Sequence, residues 1–130
     1  MASNRLLPDT CAWIDFFRGS STPLAAALEQ GVLHGELLTC GVVVMELLQG
    51  VKSPREETMI LNAFEALTHL EMSRELWATA GRLAAGLRSD GHNVPFSDIV
   101  IAVLALQHNC AVLTADRHFE LIPNLAVTKG

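Results

Sequence analysis

Basic residues are scarce in this chain. Nine lysines and arginines stand against fourteen aspartates and glutamates, a net charge of −5. A simple electrostatic nucleic-acid binder is basic, so that class is disfavoured. A nucleic-acid enzyme that works through bound cations is not, because the ions change the local sign. Cysteine is scarce as well. Cys11, Cys40 and Cys110 lie far apart, form no Cys-x-x-Cys, and their odd number closes no disulfide framework. They read as reduced thiols of a cytosolic protein. Long apolar runs are missing: the longest covers residues 99–106, against the about 20 that a membrane span needs. The N-terminus has no apolar signal-peptide run. A soluble, cytoplasmic protein with no membrane partner is expected.

Several catalytic signatures are missing too. No phosphate-binding Gly-x-x-x-x-Gly-Lys-Ser/Thr, no Gly-x-Gly-x-x-Gly and no Gly-x-Ser-x-Gly elbow occurs. The histidines, at 34, 69, 92, 108 and 118, show no zinc spacing.

What remains is apolar. Half of the 130 residues are hydrophobic and 18% are charged, which argues for a dense core and against disorder. There is no linker, low-complexity tract or internal repeat, so residues 1–130 read as a single domain.

Residues 5–7 are a short apolar run closed by Pro8-Asp9, a strand that stops there. A short helix follows from Thr10 to Arg18. Thr22-Pro23 caps and opens a second helix, which Gly31 is expected to stop. Residues 33–39 form a second strand candidate, and residues 40–50 an apolar helix around Glu46. Ser53-Pro54-Arg55-Glu56 is a strong helix start. Residues 69–72 suggest a third strand. Ser73 caps a helix whose apolar positions 76, 80, 83, 84 and 87 share one face. Residues 99–106 are apolar on every side and belong to a buried helix opened by Ser97-Asp98. A strand at 111–114, a turn of helix near Phe119 and a last strand at 126–127 close the chain. Strands alternating with helices predict an α/β domain with a mainly parallel sheet and helices on both faces.

In such a sheet the strand C-termini and the following helix N-termini share one edge, where ligands bind. Four acids fall there. Asp9 follows the first strand, Asp116 follows the 111–114 strand, Asp98 opens the helix leading into it, and Glu46 lies in the second turn of its helix. Singly, each has a dull explanation: Asp9 as a helix cap, Asp98 as a complement to a helix dipole, Asp116 as a turn residue, Glu46 as a solvated side chain. Together they make up most of the net charge of −5. Converging carboxylates repel, and a hard divalent cation relieves the conflict. A carboxylate-held Mg²⁺, or Mn²⁺, suits phosphodiester hydrolysis. Thr10, Thr39 and Thr114 fall near the same edge and can hydrogen-bond carboxylates or water. Arg18, Arg117 and His118 are candidates for meeting a phosphate backbone. Asp15 joins the site only if its short helix turns toward the edge. Trp13, Phe16 and Phe17 lie in an apolar run and read as core or partner contacts. Cys11 reads as a structural thiol.

The segments around these acids resemble a known family. Leu7-Pro8-Asp9-Thr10-Cys11-Ala12-Trp13-Ile14-Asp15 resembles the N-terminal aspartate motif of PIN domains. Val42-Val43-Val44-Met45-Glu46-Leu47-Leu48-Gln49-Gly50 resembles their glutamate helix. Ser97-Asp98-Ile99-Val100-Ile101-Ala102 and Leu113-Thr114-Ala115-Asp116-Arg117-His118-Phe119 resemble their third and last acidic motifs. The resemblance covers essentially the whole chain, in the family's order, and is nearest to VapC-type toxins. It implies a five-stranded parallel sheet in the order 3-2-1-4-5. It implies a Mg²⁺- or Mn²⁺-dependent endoribonuclease in which Asp9, Glu46, Asp98 and Asp116 hold metal and position water. RNA, often tRNA or ribosomal RNA, is the implied substrate, and arrest of translation the implied result. A homodimer, a higher toxin–antitoxin complex and a VapB-type antitoxin that covers the acidic site are the implied partners. Two other readings share these features. A receiver-like phosphoacceptor domain needs an acidic pair after the first strand, and Asp9 stands alone. A PIN-like subunit that only binds partners would keep the fold without the chemistry.

Overall fold

A computed structural model describes residues 5–130; the start of the N-terminal stretch that was read for a signal run lies outside them. Among the described residues, five short strands are interspersed with six α-helices, which come in consecutive pairs. They are β1 (Leu6–Pro8), α1 (Thr10–Phe17), α2 (Pro23–His34), β2 (Leu38–Cys40), α3 (Gly41–Gln49), α4 (Pro54–Glu65), β3 (Thr68–Leu70), α5 (Arg74–Ser89), α6 (Phe96–Gln107), β4 (Ala111–Leu113) and β5 (Val127–Thr128). A 3-10 turn over Arg117–Leu121 lies between the last two strands.

Local chemistry sets most helix starts. Asp9, Thr22, Ser53 and Ser73 each sit in extended backbone and accept a hydrogen bond from the backbone N–H three residues on. These bonds satisfy donors that the first helical turn leaves orphaned. Proline occupies the first position of α2 and α4, where no N–H is needed. In α5, Ala80 and Leu87 are buried and Leu76, Leu83 and Ala84 half-buried, the stripe that the sequence spacing predicts. In α6, every residue from Asp98 to Ala105 is buried, as its all-round apolar sequence requires.

All strand pairings are parallel. Leu6, Leu7 and Pro8 pair with Ala111, Val112 and Leu113, and β4 pairs in turn with β5. Separately, β2 pairs with β3, from Leu38–Thr68 to Cys40–Leu70. The expected single five-stranded sheet is therefore corrected to a three-stranded sheet, β1-β4-β5, and a two-stranded one, β2-β3. One isolated parallel bridge, Leu6 to Leu37, lies between them. Pro8 explains the break. The Leu6 N–H donates to Glu36 O at 2.9 Å. The next donor on that side of β1 belongs to residue 8, and proline has none. On the other side the ladder runs on: the Asp9 N–H donates to Leu113 O at 3.1 Å.

Element bounds shift elsewhere. Gly31 does not stop α2, which runs to His34 and ends on Gly35 at φ +67°. Gly31 instead gives its missing Cβ to the Leu37 side chain, which fills that space. Consequently residues 33–37 are not strand, and β2 begins at Leu38. β3 begins one residue before the expected 69–72 and ends two residues short of it, and β5 lies one residue after the expected 126–127. Trp13 is fully buried, with its ring 4.6 Å from Phe64 edge-on and 5.7 Å from Phe17 stacked. Of the α1 aromatics, expected as core or partner contacts, Trp13 is core, and Phe16 and Phe17 are partly buried and pack against it.

Candidate active site

Each of the four acids stands where the topology predicts: Asp9 directly after β1, Asp116 shortly after β4, Asp98 in the first turn of α6, and Glu46 in the second turn of α3. Asp9 and Asp98 are buried, and Glu46 and Asp116 partly so.

Asp9 is held from both sides. Its Oδ2 accepts the Thr114 hydroxyl at 2.6 Å. Its Oδ1 accepts the Cys11 thiol at 2.7 Å and the Ala12 N–H at 3.3 Å. The cap role and the site role therefore coexist in one carboxylate. Thr114 also accepts the Asp116 N–H at 2.9 Å, so one buried hydroxyl ties Asp9 to the loop carrying Asp116. Burial raises the Asp9 carboxyl above its ordinary value, against the opposing pull of its hydrogen bonds. The Cys11 thiol is pushed up to about 11, by burial first and the nearby Asp9 after it. It is a neutral donor, consistent with a structural thiol.

Asp98 and Asp116 converge on His118. His118 Nδ1 is 3.0 Å from Asp116 Oδ1 and 3.4 Å from Asp98 Oδ2. Among the described residues, these three form the one group of metal-ligating side chains whose ligand atoms all lie within 4.8 Å of one another. Neither His118 Nδ1 nor Asp98 Oδ2 has a hydrogen-bond partner of proper geometry, although both atoms are buried. Burial, then the charges of Asp116 and Asp9, push the Asp98 carboxyl up to about 6, and His118 opposes them.

Glu46 stands somewhat apart, anchored by hydroxyls. Thr10 donates to Oε1 at 2.6 Å, and Ser97 donates to Oε2 at 3.3 Å. Thr10 follows Asp9 and Ser97 precedes Asp98, so both bonds tie Glu46 to the aspartate cluster. Beside Glu46 runs a groove of about 390 Å³ lined by Ile14, Phe17, Leu47, Met59 and Ile60, with Arg18 and Lys52 at its wall.

Other candidates go elsewhere. Asp15 accepts the Thr22 hydroxyl at 2.9 Å and helps start α2 rather than joining the acids. Thr39 is fully buried and its hydroxyl has no partner. Arg117 is exposed beside Asp116. His118, read from sequence as a phosphate contact, instead faces the carboxylates. Asp116 caps the 3-10 turn by accepting the His118 N–H at 2.9 Å, and the turn brings the ring back over the cap. Ser97, expected to open the buried helix with Asp98, lies inside its first turn, after Phe96, and its hydroxyl goes to Glu46 instead.

A divalent cation fits this donor set. Hard carboxylate oxygens are present, one of them buried and without a partner, and mutual repulsion among them is the conflict such an ion resolves.

Comparison with known proteins agrees with this architecture. The PIN domain family matches residues 6–125, and the chain belongs to that family. Among curated relatives, it is 32% identical over 123 residues to Ribonuclease VapC19 of Mycobacterium tuberculosis, covering 92% of this chain and 95% of the relative. It is 26% identical over 125 residues to VapC ribonuclease Mb1587 of Mycobacterium bovis, covering 92% of each. Among solved structures, VapBC2 from Rickettsia felis bound to a promoter DNA fragment matches with a TM-score of 0.78 at 18% identity, over 95% of this chain and 96% of that one. DNA-bound VapBC from Salmonella typhimurium matches with a TM-score of 0.78 at 21% identity, over 98% of each. These structural likenesses speak for the fold.

Proposed function

We propose that this protein is the ribonuclease toxin of a VapBC-type toxin–antitoxin pair, a metal-dependent endoribonuclease that acts in the cytoplasm as one PIN domain spanning residues 1–130. The observation that carries the reading is the set of four carboxylates on one sheet edge, cross-linked by Thr114, Thr10 and Ser97, with a buried Asp98 oxygen left unpaired. The VapC ribonucleases among its relatives support the activity.

Asp98 and Asp116 would hold Mg²⁺ or Mn²⁺, with Asp9 and Glu46 completing the acidic shell. When bound, such an ion lowers the pKa of its water and neutralises charge on phosphoryl oxygens. The chain's own residues supply position. Thr114 and Cys11 fix both oxygens of Asp9, and Thr10 and Ser97 fix both oxygens of Glu46. Arg117, exposed beside Asp116, is placed to meet a phosphate. The substrate class is RNA, with tRNA or ribosomal RNA as targets and loss of translation as the outcome. The apolar groove ending at Glu46 fits the amphipathic segment of a VapB-type antitoxin, which would cover the acids. Homodimers within a larger toxin–antitoxin complex complete the assembly; the VapBC complexes among its structural neighbours support the toxin–antitoxin pairing.

Induced expression of the wild type and of Asp98→Asn, followed by sequencing of RNA 5′ ends, tests the reading. Cleavage sites seen only with the wild type, and lost in vitro with EDTA but restored by Mg²⁺ or Mn²⁺, are expected. Identical 5′ ends from both chains, or cleavage indifferent to chelator, would overturn it and leave a partner-binding subunit.

A further inference from the structure

The ribonuclease reading leaves open where an acidic protein holds a polyanion. One helix answers it by charge. α5 carries three arginines, Arg74, Arg82 and Arg88, and one acid, Glu75. Each of the other five α-helices carries more acid than base. Arg74 lies about one turn before Trp77 and Arg88 about three turns after it, so these two arginines and Trp77 share a side of α5, and Arg82 lies off it. That side is not the buried stripe of Ala80 and Leu87.

The same side carries the exposed aromatics. Trp77 is 47% exposed and Phe96 71%, and among the described residues no other aromatic is comparably exposed. Their rings stack, with centroids 6.1 Å apart and planes 27° from parallel. Phe96 is also the first residue of α6. The next residue, Ser97, bonds Glu46, and the one after it is Asp98. The aromatic pair is therefore continuous in the chain with the acidic cluster, and the basic side of α5 leads up to it.

Exposed aromatics beside cationic side chains are the ordinary means of holding a single strand: rings stack bases and arginines meet phosphates. The geometry points to Trp77 and Phe96 as a stacking platform for an unpaired base of the RNA, with Arg74 meeting a flanking phosphate and Arg88, about three helical turns away, one farther along the strand. This rests on the ribonuclease reading and adds to it the residues that hold the strand.

The chain has two tryptophans, and Trp13 is only 1% exposed, so a ligand-induced change in emission reports on Trp77. The full-length Asp98→Asn chain, which binds without turnover, is titrated with a labelled single-stranded RNA. RNA is expected to quench the emission, and Trp77→Phe to abolish the quenching while keeping affinity. Phe96→Ala should weaken binding between about fivefold and about a hundredfold, and Phe96→Tyr should restore it. Each of Arg74→Gln and Arg88→Gln should lower the salt slope by about 0.7. In the otherwise wild-type chain, Phe96→Ala should raise KM with little change in kcat.

Unchanged RNA affinity in Phe96→Ala overturns the platform. So does a Phe96→Ala chain that falls from dimer to monomer in sedimentation while binding RNA normally, because a second copy would then own this face. Quenching by RNA in a protein whose wild type never cleaves would instead leave the platform standing and remove the ribonuclease reading.

Discussion

Glu46 and Asp98 lie on packed helices, α3 and α6, yet the protein treats them in opposite ways. Both Glu46 oxygens accept a hydroxyl, from Thr10 and from Ser97. Asp98 has one buried oxygen, Oδ2, with no hydrogen bond of proper geometry; His118 Nδ1 lies 3.4 Å from it, and the charges of Asp116 and Asp9 act on the same carboxylate. One carboxylate is satisfied by the fold, and the other is held in conflict by it. A buried carboxylate pressed by two other acids costs stability, and His118 at 3.4 Å offsets that only in part; a divalent cation of the kind proposed would relieve the rest. The comparison therefore locates the strained end of the site at Asp98 and Asp116 and the scaffolding end at Glu46.

Asp98→Asn breaks this comparison most severely. The substitution removes a charge and a ligand oxygen while keeping the shape. Cleavage should fall by more than the roughly hundredfold that loss of an outer-shell partner costs. Stability of the metal-free chain should rise, by about 1–3 kcal/mol, because a carboxyl pushed up to about 6 resists ionisation at neutral pH. Activity assays and thermal melts in EDTA check the two halves. Lost activity with lowered stability would mean that Asp98 is an ordinary structural acid.

Thr114→Val comes next. It removes the hydroxyl that both donates to Asp9 and accepts from Asp116. Two acids lose their fixed relation at once, so activity should fall by about tenfold to a hundredfold. Thr114→Ser, which keeps the oxygen, should recover most of it. Equal activity in the valine variant would show that the two aspartates are positioned by the backbone alone.

A pH series sharpens the contrast without changing function. Asp98 holds its proton more tightly folded than unfolded, where its value is 3.8. The folded chain therefore carries more protons between these values, and stability rises as pH falls. In EDTA the melting temperature should climb as pH drops through about 6, with the gain complete near 3.8. Asp9, also raised, acts in the same direction. The difference between wild type and Asp98→Asn isolates the effect, and Mg²⁺ should flatten it at neutral pH. A wild-type curve parallel to that of Asp98→Asn would contradict the strained carboxyl.

Much of this site was legible in the chain because it rests on local rules. A strand closed by proline, a cap after it, and an acid in the first turn of a buried helix place Asp9 and Asp98 by topology alone. Glu46 betrayed itself by standing among Val42, Val43, Met45 and Leu47. Less legible were features that depend on chains meeting at a distance. The break between β1 and β2 turns on which side of the strand the missing Pro8 N–H faces. Gly31 reads as a helix stop until Leu37 is seen filling its Cβ space. His118 reaches the acids because a 3-10 turn folds its ring back over Asp116, and neither the turn's length nor its direction is written in composition.

The scaffolding end offers the smallest test and the most informative one about redundancy. Ser97→Ala removes only the 3.3 Å bond to Glu46 Oε2, while Thr10 still holds Oε1 at 2.6 Å. At 3.3 Å this is a long bond, and water can take its place at a part-exposed carboxylate, so activity should fall only about two- to threefold. Thr10→Val removes the shorter bond and should cost more. The double variant leaves Glu46 with neither hydroxyl and should lose more than the product of the two single losses, because each donor limits the motion that the other leaves. Purely multiplicative losses would mean that Glu46 is fixed by α3 itself, and that the two hydroxyls merely fill space around it.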